Sequence, residues 1–319
     1  MSITPQGRKI AIIGASGTLG RPLVAALLAS PAGHSVTAVQ RADATSSFPA
    51  GVRVARGDLL SEAFLASAFA GQDAVVLMPP LARILTAQEP AVRAAAAAGV
   101  RYVFPAESGP DPFAAGLVRD NALLQAKKRV RDLIEETFGA SGGGGGWVSV
   151  AVGPWVEYAV GMGLWGVDAR ARTATVWRGA EGRVCSATAG HAGRALAAVL
   201  SLPEPDLAAL RNAAVYAPSL CFTQRELLSA AQRVTAGHGD GTSNWTVEER
   251  DVADVLRDCD EALARGDEAA AHARFFVTHA MEGSGADFEH KIDRALAGKL
   301  QALGLGGETL EEAIRETLA

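Results

Sequence analysis

Gly14, Gly17 and Gly20, separated by Ala15-Ser16 and Thr18-Leu19, follow directly on the apolar run Lys9-Ile10-Ala11-Ile12-Ile13 and lead into an alanine- and leucine-rich stretch. A strand delivered into a glycine-spaced turn and then a helix is the fingerprint of a dinucleotide site. The first glycine permits the tight turn and the second lets backbone approach the pyrophosphate. The third lets the helix pack closely while its free N–H groups face the anion. Gly14, Ser16, Gly17, Thr18, Leu19 and Gly20 are therefore the expected cofactor contacts. The next strand, Ser35 to Val39, runs into Gln40-Arg41. An acid there would accept from a ribose 2′-OH, whereas the forked guanidinium of Arg41 suits a 2′-phosphate, so the expected cofactor is NADPH. Asp58, after Arg56-Gly57, either accepts from the adenine amino group or caps the helix starting near Ser61. Pro79 and Pro105, just past the fourth and fifth strands, complete this set together with Lys127.

Lys127 shares a helical stripe with Leu123, Leu124, Val130 and Ile134, while Lys128 falls with Gln125, Arg131 and Asp132. A lysine on an inward stripe either snorkels to water or points its ammonium into a cleft. In a cleft it can stabilise or protonate an oxygen that gains negative charge when hydride arrives at a neighbouring carbon. Glu107 and Ser108 leave the carboxyl end of the fifth strand, on the cofactor side, and read as helpers or as loop caps. Trp155 and Tyr158, after Gly153-Pro154, either line an aromatic pocket or belong to the core. His191 and His279 read as buried structural residues. Cys185, Cys221 and Cys259 are isolated, without histidine spacing for zinc, so no metal is expected and the thiols read as reduced.

The elements that must position these groups alternate. After the opening strand and helix come strands at Ser35–Val39, Val52–Ala55, Ala74–Met78, Tyr102–Phe104 and Trp147–Val152, with helices from about Ala87 to Ala98 and Asn121 to Glu136. This predicts an α/β chain: a Rossmann, doubly wound parallel sheet with a second, smaller, mostly helical substrate lobe. Residues 1–154 form the expected NADP(H)-binding domain and 155–319 the substrate lobe, parts of which are free to return to the Rossmann sheet. The glycine run between Ser141 and Gly146 reads as a flexible surface connection. In the second lobe, strands are expected at Ala213–Tyr216 and Asn244–Val247, around a helix from Thr223 to Ala236. Thr223 with Glu226, and Thr309 with Glu312, are spaced as capping boxes.

Among 319 residues, 49% hydrophobic content is ample for a core, and a net charge of −5 lacks the basic footprint of nucleic-acid or anionic-membrane binding. The leader from Met1 to Arg8 has no apolar signal core and the alanine run Ala94–Ala98 is too short to span a bilayer, so a cytoplasmic protein acting on a small molecule is expected. Monomer and homodimer both remain open.

The opening glycine motif, Arg41, the segment Ala98-Gly99-Val100-Arg101-Tyr102-Val103-Phe104-Pro105-Ala106-Glu107-Ser108-Gly109 and Lys127-Lys128-Arg129-Val130-Arg131 resemble the NmrA-like, isoflavone-reductase-like branch of the atypical short-chain dehydrogenases. The likeness covers nearly the whole chain. The late segment Leu303-Gly304-Leu305 with Thr309-Leu310-Glu311-Glu312 is similar to fungal-type members, many of which act in secondary metabolism. The resemblance implies a Rossmann domain with a smaller lobe, NADPH-dependent reduction of aromatic substrates, and a catalytic lysine at Lys127. The family's Pro-Ser-Glu-Phe-Gly motif stands here as Pro105-Ala106-Glu107-Ser108-Gly109, which bears on the substrate more than on the cofactor. Leu123 occupies the place of the tyrosine in the Tyr-x-x-x-Lys pair of the classical enzymes, which speaks against a tyrosine-driven mechanism. The expected activity is reduction of a small aromatic or polyketide-like metabolite. A non-catalytic NADP(H)-sensing regulator and a redox-neutral isomerase or cyclase are the alternatives.

Overall fold

The computed structural model describes residues 3–142, 144–236 and 244–319. Met1 and Ser2 of the leader and Gly143 of the glycine run lie outside the described residues. Seven parallel strands form the central sheet: β1 (Lys9–Ile13), β2 (Ser35–Arg41), β3 (Arg53–Gly57), β4 (Ala74–Leu77), β5 (Tyr102–Phe104), β6 (Gly146–Ala151) and the later β10 (Ala213–Tyr216), in the order β10-β6-β5-β4-β1-β2-β3. The inner strands are apolar runs because both faces are covered, whereas the edge strand β3, Arg-Val-Ala-Arg-Gly, is largely exposed. Along β1 the period of two is explicit. Ile10 and Ile12 enter one core with α1 (Gly20–Ala29) and α7 (Ala189–Leu200), and Ala11 and Ile13 enter the other with α2 (Glu62–Phe69), α3 (Glu89–Ala97) and α5 (Ala122–Ala140).

Strand order reverses at β1, which lies between β4 and β2, and a ligand crevice opens outside the carboxyl ends of strands at such a switch point. Both α7 and β10 come from beyond residue 155 yet belong to this body: α7 packs on α1, and β10 pairs with β6.

The rest of the later chain builds a separate core. Trp165 is its centre, edge-on to Phe222 and Phe276 at 5.0 Å each. Its helices are α6 (Val156–Gly161), α9 (Gln224–Ala236), α10 (Val252–Ala264), α11 (Ala269–His279) and α13 (Leu310–Leu318). The Thr309/Glu312 capping box is present at α13, and Thr223 and Glu226 exchange the corresponding bonds at α9. Two small sheets complete it, and of their strands the sequence marked only the final one, expected at Asn244–Val247 and found at Thr246–Asp251. One joins β7 (Val167–Asp168), β8 (Thr173–Arg178) and β12 (Thr246–Asp251), and the other joins β9 (Val184–Ser186) to β11 (Leu220–Phe222). No helix among the described residues is long and apolar enough to cross a membrane.

Candidate active site

A cleft of about 2050 Å³ runs along the carboxyl ends of the central strands and under the second lobe. That is roughly twice the upper end of a drug-sized pocket, about 300–1,000 Å³, so it has room for a dinucleotide and a substrate together. Of the sequence-predicted residues, Gly14, Ser16, Gly17, Thr18, Leu19, Gly20, Arg41, Asp58, Pro79, Pro105, Ser108, Lys127, Trp155 and Tyr158 all line it, and Glu107 does not.

The glycine turn fits a pyrophosphate for reasons visible in the backbone. Gly14 has φ +88° and a Cβ there would stand 2.2 Å from the carbonyl oxygen of Met78, so only glycine lets the turn pass over β4. A Cβ on Gly20 would stand 2.2 Å from the oxygen of Gly14, which keeps α1 close against the turn. Gly17 differs, since its nearest neighbour would be the Gly14 oxygen at 3.3 Å and it borders the cleft. Helix α1 has Leu19 at its N-cap, a side chain that cannot accept its free N–H groups, which leaves them for an anion. Arg41 is the last residue of β2 and is exposed, with Asp43 3.6 Å away. The helix cap at α2 belongs to Ser61, which accepts from Phe64 N, while Asp58 accepts from Leu60 N at 2.9 Å in a local turn.

On α5 the buried stripe is Leu124, Lys127, Val130, Arg131, Ile134 and Phe138. Lys127 is therefore inward, and Lys128 is exposed and paired with Asp132 at 2.7 Å. Burial pushes the Lys127 ammonium below its ordinary pKa, Glu107 opposes this, and Arg131 adds to it. Gly109 keeps the space beside it: a Cβ there would lie 3.3 Å from Lys127 Nζ. The Gly109 carbonyl accepts from Val152 and Gly153 N–H at 3.0 and 2.8 Å, tying the loop after β5 to the end of β6.

Two expectations need correcting here. Glu107 is not a cleft residue, because its carboxylate is buried in an ion pair with Arg131. Arg131, expected beside Lys128 on the solvated face, is instead buried. It donates also to Pro112 O at 2.9 Å and lies over the rings of Trp147 and Phe113. With its guanidinium so occupied, the pair anchors the 105–113 loop to α5, and removing one partner of such a pair typically costs roughly 3–5 kcal/mol. Ser108 remains on the cleft wall, where its carbonyl accepts from Trp155 Nε1 at 3.0 Å.

Trp155 and Tyr158 sit with rings 5.9 Å apart on the second-lobe side of the cleft. A further part of the lining was not evident from sequence. It comes from Glu268, His272 and Phe275 on and beside α11, and Arg83 lines the cleft after β4. None of these stands in a motif, so tertiary packing alone reveals them. His191 and His279 are buried, the first bonded to Ala217 O at 3.0 Å and the second through Nδ1 to Phe275 O at 2.6 Å. Burial brings the His279 pKa down to about 4, partly opposed by that bond and furthered by the charge of Lys127.

Residues 6–140 match the NmrA-like family. An oxidoreductase, poxI of Penicillium oxalicum, is 29% identical over 233 residues, covering 73% of this chain and 71% of that protein. Among solved structures, "AtPrR2 with NADP+ and (+)pinoresinol" superposes with a TM-score of 0.74 at 19% identity, over 98% of this chain and 99% of the other. An isoflavone reductase superposes with a TM-score of 0.72 at 20% identity, again over 98% and 99%. The chain thus shares their fold from end to end.

Proposed function

We propose that this chain is an NADPH-dependent reductase of a small aromatic or polyketide-like metabolite in which Lys127 is the general acid/base. The observation that carries the proposal is the placement of a buried lysine in the wall of the same cleft that the glycine turn opens into. When bound, NADPH supplies the hydride. Residues 1–154 would hold it, through the Gly14–Gly20 turn, Arg41 and the stretches around Pro79 and Pro105. Residues 155–319 would supply the substrate side, with α7 and β10 returned to the sheet. Trp155, Tyr158 and Phe275 offer a flat substrate aromatic faces and exclude water. Lys127 holds a proton at Nζ, and its lowered pKa makes that proton easier to give to a developing oxyanion. The name of the Penicillium relative and the cofactor in the pinoresinol-bound structure support this reading. So does the open cleft, since a pure sensor has no need of a substrate-sized space.

Arg41 gives a direct test of the cofactor. Calorimetric titration is expected to show tighter binding of NADPH than of NADH. Arg41→Ala should weaken NADPH by about 1.5–3 kcal/mol, the worth of a hydrogen bond to a charged group, and leave NADH nearly unchanged. Equal weakening of both would remove the 2′-phosphate role from this residue.

A further inference from the structure

The three cysteines look isolated in sequence, but the fold brings two of them together. Cys185 on β9 and Cys221 on β11, 36 residues apart in the chain, are direct cross-strand partners in an antiparallel pair with Sγ atoms 2.7 Å apart. The Cys185 N–H donates away from β11, to Ala286 O at 3.0 Å, so the two residues form a non-hydrogen-bonded pair. Such pairs bring Cα atoms to about 4.5 Å, inside the roughly 4.4–6.8 Å that a disulfide spans. Cys185 is fully buried, and Cys221 is partly exposed at the surface. The third cysteine, Cys259, is buried on α10.

The strand carrying Cys185 also backs the substrate wall. A Cβ on Gly153 would stand 1.8 Å from the Cys185 carbonyl oxygen, Ser186 Oγ donates to Pro154 O at 2.6 Å, and Val156 N donates to Ala187 O at 3.0 Å. The segment that presents Trp155 is thus seated on β9. The chain between the two cysteines contains α7 and β10, the parts that return to the Rossmann sheet.

We propose that Cys185 and Cys221 are a reversible oxidation site, whose disulfide closes the chain excursion through α7 and β10 and fixes the strand behind Trp155. With hydrogen peroxide as oxidant, the accessible Cys221 thiolate attacks one peroxide oxygen, giving a sulfenic acid and, with a proton, water. The Cys185 sulfur then displaces the hydroxyl from that sulfenic sulfur. The S–S bond forms, the Cys185 thiol proton leaves with the hydroxyl as a second water, and each sulfur has given up one electron. The raised pKa of Cys185, caused by its bond to Cys221 and by burial beside Asp287, fits its place as the resolving partner rather than the first nucleophile.

The site is tested on the whole purified chain without any turnover assay, so its outcome is separate from the reductase assignment. Reduced protein is treated with hydrogen peroxide, remaining thiols are blocked with N-ethylmaleimide, and a non-reduced digest is read by mass spectrometry. The expected result is one peptide pair joining Cys185 to Cys221, lighter by two hydrogens, with Cys259 alone alkylated. Dithiothreitol should reverse the link, and the oxidised form should melt a few degrees higher, as closing a loop of this size predicts. Cys221→Ser should lose both changes and Cys259→Ser neither. Three alkylated cysteines after oxidation, a sulfinic acid on Cys221 without a link, or a link that involves Cys259 would overturn the proposal.

Discussion

Gly17→Val is expected to remove NADPH binding from a chain that still folds. Gly17 lacks the positive φ that holds Gly14, and the nearest atom to an added Cβ is a single carbonyl oxygen at 3.3 Å, so the branched side chain goes into the cleft rather than into the core. There it occupies the approach of the pyrophosphate. Two lost charge-assisted bonds at about 1.5–3 kcal/mol each, at tenfold per 1.4 kcal/mol, put the loss at roughly a hundredfold or more. Calorimetry with NADPH, alongside circular dichroism and Tm, checks it. Gly14→Val is the contrasting variant, since its clash with Met78 backbone should damage the fold itself. A folded Gly17→Val protein with undiminished affinity would move the cofactor site elsewhere.

Lys127→Met should lower turnover by roughly a hundredfold or more, the span of a general acid contribution, while NADPH affinity stays within a few-fold. Stability should not fall. A lysine whose folded pKa lies below its unfolded value weighs against folding while both states are charged, and this penalty lessens as pH rises above the folded value. Methionine removes the penalty while keeping the bulk, so the variant's Tm at neutral pH should equal or exceed that of the parent. Turnover of the parent should fall on the alkaline side at a pH below the ordinary lysine value, as the ammonium loses its proton. Lys128→Met, on the exposed face, should change little. Near-normal rates for Lys127→Met would refute the acid/base role. NADPH binding with no consumption on any aromatic or polyketide carbonyl would favour the sensor, and product formed without net NADPH loss would favour the redox-neutral reading.

The sheet was legible because its inner strands, such as β4 and β6, are buried on both faces and so read as apolar runs between turn residues. The cofactor turn was legible because close backbone approach requires glycine at fixed spacing, and the inward direction of Lys127 followed from helical period alone. What escaped depends on partners distant in sequence. Of β12, only Thr246 and Val247 fell within the strand expected at Asn244–Val247; the rest, with Glu248, Glu249 and Arg250, is largely exposed and held by parallel pairing with β8, so no hydrophobic alternation marks it. Glu107 looked available because its partner, Arg131, lies 24 residues on, and Arg131 looked solvated because charge alone suggested it. Cys185 and Cys221 looked isolated because only the register of β9 with β11 makes them neighbours. The cleft wall from α11 has no local signature at all.

The central claim is that one cleft holds the cofactor and places its reactive end beside Lys127. A crystal structure of the NADP+ complex tests it most directly. The expected result has the pyrophosphate on the N–H groups of the Gly14–Gly20 turn, the 2′-phosphate at Arg41, and the nicotinamide on the Lys127 and Trp155 side, with Lys127 Nζ within hydrogen-bond or single-water reach of the space over C4. A cofactor bound away from the glycine turn, or a nicotinamide turned out of reach of Lys127 with the space over C4 filled by protein, would contradict it.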